Sequence, residues 1–224
     1  MRKTVLFALA AMSASAAAPS ALAFWHDEED DDEIVRSIDV TDFDRIEVSG
    51  VFDLDVKIGG AYRLEIEGKP KALDRVKAVV KNGELRLEYH EKRRGWGHGH
   101  NHGGVDARLT MPALVRLDVS GVVDADIEGV NSDQFEINLS GVGDLDFEGV
   151  CGRLDANVSG VGDLDAGDLE CRDVDISVSG VGDARVFASK SVDADASGMG
   201  DITVLGDPEQ VRETSGLFSE VTVR

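Results

Sequence analysis

The sequence predicts an all-β chain: a single-stranded right-handed parallel β-helix, or β-solenoid, with short coils of 18–20 residues and a less regular N-terminal β portion. Three observations predict it. A marker Ser-Gly-Val-x-Asp begins at Ser120, Ser140, Ser159 and Ser179, and Ser197 opens the variant Ser-Gly-Met-Gly-Asp. Apolar residues alternate with polar ones on both sides of each marker. Aromatic residues make up only 5% of the chain, so small and β-branched side chains must fill the interior.

The markers are spaced 20, 19, 20 and 18 residues apart. A degenerate copy, Ser215-Gly216-Leu217-Phe218-Ser219, follows 18 residues later, and an early copy, Ser49-Gly50-Val51-Phe52-Asp53, stands 71 residues upstream. A period near twenty is the mark of a stacked repeat architecture. Upstream of the serines, apolar residues fall at alternate positions: Val115, Leu117 and Val119, Phe135, Ile137 and Leu139, Leu154, Ala156 and Val158, Val174, Ile176 and Val178, and Val192, Ala194 and Ala196. Downstream the same holds for Ala125 and Ile127, Leu145 and Phe147, Leu164 and Ala166, Ala184 and Val186, Ile202 and Val204. Period two is the signature of a half-buried strand. Each repeat therefore reads as strand, glycine turn, strand, second turn. One unit cannot bury its apolar side alone, whereas units stacked at ~4.8 Å share a continuous core. Parallel crossovers favour the right-handed coil. An antiparallel sandwich is the alternative that regular strand spacing also allows.

Before the repeats, strands are expected at Arg45–Val48, Leu54–Ile58, Tyr62–Ile66, Lys77–Val80, Leu85–Tyr89 and Asp106–Met111. Asn82-Gly83 signals a hairpin and 70–75 a helical turn. This part reads as irregular early coils that cap the stack. The organisation is then a leader at 1–23, an acidic disordered arm at 24–36, and one β domain at 37–224, irregular over 37–111 and regular over 112–224. About 200 residues after the leader suit one elongated domain or two small ones.

Met1-Arg2-Lys3, an alanine-rich apolar run and Ala21-Leu22-Ala23 form the pattern of a secretory signal peptide cut before Phe24. No cysteine follows the cut, which argues against a lipid anchor, and no later stretch reaches the ~20 apolar residues of a membrane span. Seven carboxylates, Asp27 to Glu33, follow as a solvated arm. Losing Arg2 and Lys3 leaves 21 basic residues against 44 acidic ones, a net of −23. That charge repels nucleic acid and anionic lipid and favours cations or basic protein surfaces.

Asp124, Asp144, Asp163, Asp183 and Asp201 recur four residues after each marker serine, and Asp126, Asp146 and Asp165 two residues later. In a stack they form columns in which neighbours repel by roughly 1–3 kcal/mol at ~4.8 Å. Three remedies exist: hydrogen bonds from turn amides, solvation, or Ca²⁺ or another divalent ion held by hard oxygen ligands. The structural remedy is the expected one. Cys151 and Cys171 each lie eight residues before a marker serine, so stacking brings them within disulfide reach. Export favours the oxidised pair over two free thiols. His98, His100 and His102 alternate in the glycine-rich segment 92–104 and could approach one Zn²⁺, Cu²⁺ or Ni²⁺. A solvated hairpin tip is the plainer reading, because ordering such a loop costs entropy. No nucleophile constellation stands out, and paired carboxylates here come from the repeat rather than from a cleft. An enzyme is not expected.

The Ser-Gly-Val-Gly-Asp units, the Leu154-Asp155-Ala156-Asn157-Val158-Ser159-Gly160 type of strand between them, and Phe43-Asp44-Arg45-Ile46-Glu47-Val48-Ser49-Gly50 resemble the bacterial head GIN domain family of auto-transporter adhesins. The resemblance runs from about Phe43 to Val223. It implies a β-helix-like fold in exported proteins and supplies no catalytic residues. The expected function is an exported binding or structural module of the cell envelope, adhesin-like, with an unidentified protein or glycan as partner. The alternatives are a divalent-cation-binding envelope protein and a carbohydrate-active β-helix enzyme.

Overall fold

The structure, a computed structural model, describes residues 32–90 and 104–224. The leader, most of the acidic arm, and His98, His100 and His102 lie outside the described residues. Among the described residues, fifteen strands and one helical turn form an all-β fold with a single mixed sheet. The front strands are β1 (Ile34–Ile38), β2 (Arg45–Ser49), β3 (Val51–Ile58), β4 (Arg63–Gly68), β5 (Val76–Lys81), β6 (Glu84–Tyr89) and β7 (Val105–Met111), with α1 (Pro70–Leu73) between β4 and β5. The repeats supply β8 (Arg116–Val119), β9 (Val122–Leu139), β10 (Leu145–Val158), β11 (Leu164–Val178), β12 (Ala184–Ala196), β13 (Ile202–Leu205), β14 (Gln210–Ser215) and β15 (Val221–Val223). Strand β1 includes Ile34, Val35 and Arg36, which the charge pattern had assigned to the arm at 24–36.

From β8 onward each coil pairs in parallel with the next. Leu145 lies opposite Ala125 and Leu164, and Ala156 opposite Ile137 and Ile176. All the alternating positions named above are buried except Val115, which is half-buried while its neighbour Leu114 takes the interior place. The glycine turns stack as well, through parallel bridges Val122–Val142, Val142–Val161, Val161–Val181 and Val181–Met199. The variable repeat length is absorbed at the opposite corner. Phe147 pairs with Ile127 but Gly149 with Val130, and Ala166 pairs with Val186 but Glu170 with Phe187. The expected second turn is thus a register shift inside one long strand. β9 to β12 run 13–18 residues, because bulges bend a strand without ending its ladder. The last copy is also displaced: Ala196 faces Ser215, which sets Gly216 rather than Ser215 beside Ser197.

The front departs from sequential coiling. β2 and β3 pair in parallel with β8 and β9, so Ser49-Gly50 sits directly under Ser120-Gly121 despite the 71 intervening residues. On their other side lie β6 and β7, which come later in the chain. The intervening chain therefore passes outward to form the cap and returns. That cap is antiparallel: β5 pairs with β6, β4 with β7 and β1 with β4. The expectation of a wholly parallel stack is corrected here. A two-residue hairpin closes the β5–β6 pair, whereas β4 reaches β7 and β1 reaches β4 across intervening strands. Asn82 and Gly83, both at positive φ, turn β5 into β6.

Candidate functional site

The glycine turns create a surface that no single repeat possesses. In each marker the first glycine has its would-be Cβ aimed at the backbone of the coil below. At Gly141, Gly160 and Gly180 that atom would meet a glycine carbonyl oxygen at 2.1, 2.0 and 2.0 Å. No other residue fits such an approach. The serine hydroxyls tie the same layers: Ser140 Oγ donates to the Val119 carbonyl at 3.2 Å, and Ser120 and Ser159 do likewise to Val48 and Leu139 at 3.4 Å. The valine that follows has no inward room. Val122, Val142, Val161, Val181 and Met199 are 41–58% exposed, one above another.

The result is a groove of about 1010 Å³ with a glycine floor, a serine wall and an apolar wall. From Val51 to Met199 it spans six rungs, about 24 Å at the spacing of paired strands. Tyr89 lines one end and Phe218 the other. The recurring Ser-Gly-Val triplet carries this site in sequence, but alternation alone assigns its valines to no face. Only stacking shows that they line up outside.

Beside the apolar wall runs the aspartate column. Asp124, Asp144, Asp163, Asp183 and Asp201 stand in register, and Asp53 and Asp106 extend the line into the front coils. Each carboxylate of the five accepts the backbone N–H of the next coil. Asp144 N–H donates to Asp124 Oδ1 at 3.1 Å, Asp163 to Asp144 at 2.9 Å, Asp183 to Asp163 at 2.7 Å, Asp201 to Asp183 at 2.8 Å, and Glu220 to Asp201 at 2.8 Å. These charge-assisted bonds offset the repulsion along the column. Among the described residues no group of three or more His, Cys, Asp or Glu side chains is placed to hold a metal ion.

The second acidic column is relieved differently. Arg185 reaches Asp165 at 3.1 Å and Arg108 reaches Asp55 at 3.8 Å, at its two ends. Between them Asp146 has its pKa raised, first by burial and then by the Asp126, Asp165 and Asp144 carboxylates. Asp53 is raised in the same sense by burial, Asp106, Asp124 and Asp55. Cys151 and Cys171 are joined by a disulfide with Cα atoms 4.5 Å apart, linking adjacent coils away from the groove.

The groove therefore lies between outward rows of polar side chains: the aspartate column on one side, and Asp118, Asn138 and Asn157 on the other. The latter are linked by Asn138 Nδ2 to Asp118 Oδ1 at 2.8 Å and Asn157 Nδ2 to Asn138 Oδ1 at 3.2 Å. It is a long apolar track bordered by carboxylates.

No curated protein matches this chain. Among solved structures it is similar to a putative adhesin from Bacteroides fragilis NCTC 9343, with a TM-score of 0.72 and 24% identity over 86% of this chain and 97% of that one. A putative adhesin from Parabacteroides distasonis ATCC 8503 aligns at TM-score 0.50 and 18% identity, over 86% and 98% of the two chains. At such identities the likeness is one of fold. The family model described as "Putative auto-transporter adhesin, head GIN domain" matches residues 42–208, from the front strands to the turn before β14. The chain, by that match and by the stacked markers inside it, belongs to the head GIN domain family.

Proposed function

We propose that the protein is a non-catalytic, exported binding module of the cell envelope, adhesin-like in role, whose contact surface is the serine–glycine–valine groove. The coils wind right-handed in this reading, as parallel crossovers do. The observation that carries the proposal is the ladder of exposed Val122, Val142, Val161, Val181 and Met199. Folding leaves five apolar side chains in one line, where interior positions bury theirs. A contiguous exposed apolar strip marks an interaction site.

The partner that fits is a protein surface with apolar side chains flanked by lysines or arginines. Residues 112–209 carry 22 acidic and 5 basic residues, so a basic partner is steered towards the groove and an acidic one is repelled. No helix among the described residues is long and apolar enough to cross a membrane.

The test is retention of the immobilised protein's partner from an envelope fraction, comparing wild type with Val142→Glu/Val161→Glu. Both side chains are exposed, so the double variant is expected to keep the fold, at a cost of no more than the roughly 1–3 kcal/mol by which carboxylates on adjacent rungs repel. Binding is expected to fall at least about tenfold, to weaken with salt, and to vanish after trypsin treatment of the fraction. Unchanged retention by the variant overturns the groove as the site, and loss after periodate but not trypsin overturns a protein partner. Divalent-ion binding by the aspartates is the competing reading. A stoichiometric heat with Ca²⁺, lost in Asp144→Asn/Asp163→Asn, would favour it.

A further inference from the structure

The corner by which the first regular coil rises to the second has no corner beneath it. β9 carries it, and the coil above pairs with it from Gly149 opposite Val130 to Arg153 opposite Gln134. Below, β3 accompanies β9 as far as Glu128, and β8 joins only at Glu136. Later corners rest on their predecessors: Cys171 lies opposite Cys151, and Ala188 opposite Cys171. Here the chain leaves after Ile58 to build the front and returns at Val115, whose carbonyl accepts the Glu136 N–H at 2.9 Å. Among the described residues, Asn131 to Gln134 are therefore paired on one edge alone.

The gap is a cleft of about 930 Å³, lined by Arg45, Arg116 and Arg153 and by Asn131, Asp133 and Gln134 of the corner. Glu136 and Asp155 also line it, so three cations meet three carboxylates, a net of zero on a protein of net −21. The guanidinium planes are set in advance. Arg116 is held by both oxygens of Asp118, at 2.7 and 3.1 Å, and by Glu136 at 3.4 Å. Arg153 is held by Asp175 at 3.1 Å, and Arg45 by Asp44 and the Asn82 carbonyl. By contrast, the side-chain amides of Asn131 and Gln134 and the Asp133 carboxylate bond no other group among the described residues.

These groups select their ligand by chemistry. A divalent cation would face three guanidinium groups, and an anion finds each of them already neutralised by a carboxylate. An apolar side chain finds little to touch, because Phe135 is only 2% exposed and Val115 is half-buried. What the cleft leaves unmatched is a mixed set of donors and acceptors. A sugar's neighbouring hydroxyls, each donor and acceptor at once, match such a set without adding charge. We propose that the cleft is a binding subsite for a neutral oligosaccharide, with Asn131, Asp133, Gln134 and the remaining N–H groups of Arg153 on its hydroxyls and Val115 against the C–H face of a ring. The volume lies within the range of ligand pockets. Side chains fixed beforehand reduce the ordering cost of binding. With no exposed aromatic ring in the described lining to stack on a sugar, the expected Kd is about 0.1–1 mM.

The cleft shares no residue with the serine–glycine–valine groove, so the two readings fail separately. The full mature chain is titrated with maltohexaose, cellohexaose, mannohexaose and chitohexaose, and with hexagalacturonate as the anionic control, while backbone amide shifts are followed. At least one neutral hexamer is expected to give saturating shifts centred on Asn131 to Gln134, with an affinity unchanged by salt because the ligand carries no charge. Partner binding in the groove weakens with salt instead. Asn131→Ala/Gln134→Ala and, separately, Arg153→Ala alter exposed positions and are expected to weaken binding at least about tenfold. The groove variant Val142→Glu/Val161→Glu is expected to bind the hexamer as the wild type does. No saturable shift with any neutral hexamer, a stronger response to hexagalacturonate, shifts centred on the valine ladder, or full affinity in both cleft variants would each overturn the subsite.

Discussion

The front of the molecule, up to Met111, and the stack behind it are made of similar strands but solve the problem of neighbours differently. In the stack, successive coils meet backbone to backbone at the glycine turns, and the interior is narrow enough for Ala125, Ala156, Ala166, Ala184, Ala194 and Ala196 to fill much of it. In the front, larger side chains such as Leu64, Ile66, Leu85, Leu87 and Met111 are buried, and ion pairs such as Arg108–Glu67 at 2.7 Å and Arg86–Glu47 at 3.1 Å tie neighbouring strands. Repetition in sequence therefore tracks the constraint of exact stacking. Where strands turn back on themselves, the constraint lapses and the repeat disappears.

Glycine substitutions break this comparison most sharply. Gly162 has φ +140°, and its Cβ would meet the Gly143 carbonyl oxygen at 2.0 Å. Gly162→Ala is expected to cost about 4 kcal/mol, roughly 10 °C in melting temperature. Gly59 also has positive φ, +108°, but nothing lies within 4 Å of its would-be Cβ. Gly59→Ala is expected to cost only the backbone strain, about 1–2 kcal/mol. Equal losses in chemical denaturation would show that coil contact does not set the glycine pattern.

The disulfide gives the next effect. Cys151 and Cys171 are 20 residues apart and clip one coil of the stack. Reduction, or the Cys151→Ser/Cys171→Ser variant, is expected to cost about 3 kcal/mol, the entropy of closing such a loop. Amide exchange should speed up first in β10 and β11, while front amides in β6 and β7 keep their rates. A uniform acceleration would mean that the stack and the front unfold as one.

Carboxylate columns give the smallest effect and sharpen the comparison by pH. Asp146 has a folded pKa above its unfolded value, so protonation favours the folded state. Its contribution is greatest below the unfolded pKa and is lost as pH rises through the folded one. Asp173 runs the other way. Hydrogen bonds from Ser191 and Arg172 hold its pKa down, so it supports folding above its unfolded pKa and ceases to as pH falls through the folded one. Asp146→Asn is expected to raise the melting temperature by about 1–2 °C at neutral pH, with the difference shrinking on acidification. A variant less stable than wild type at neutral pH would contradict the sense of the shift.

Much of this was legible in the residues themselves. Alternation placed Leu145, Leu164 and Ile202 inside, the Asn82-Gly83 pair gave its hairpin, and 70–75 its helical turn. The six front strands expected from the sequence all form, and β1 is added to them. Order among distant strands was not legible. Nothing local in Ser49-Gly50-Val51 says that its neighbour is Ser120-Gly121, because closing a long loop costs little more than closing a short one and leaves no mark on either segment. The long strands β9 to β12 were hidden for another reason: Gly129, Gly149 and Gly167 at the second corner look like turn residues, yet they serve bulges within a continuous ladder. The aspartate column was legible as a column, and its amide partners followed once the coils had a register.

Adjacency of the front marker to the first regular one is what lengthens the groove to six rungs, and engineered cross-links test it directly. Val51 lies opposite Val122, while Val142 is one rung further on. Val51→Cys/Val122→Cys is expected to close an intrachain disulfide under mild oxidation, and Val51→Cys/Val142→Cys is not, because two rungs, about 9.6 Å, exceed disulfide reach. Peptide mapping that finds the second pair linked and the first pair free would contradict the stack.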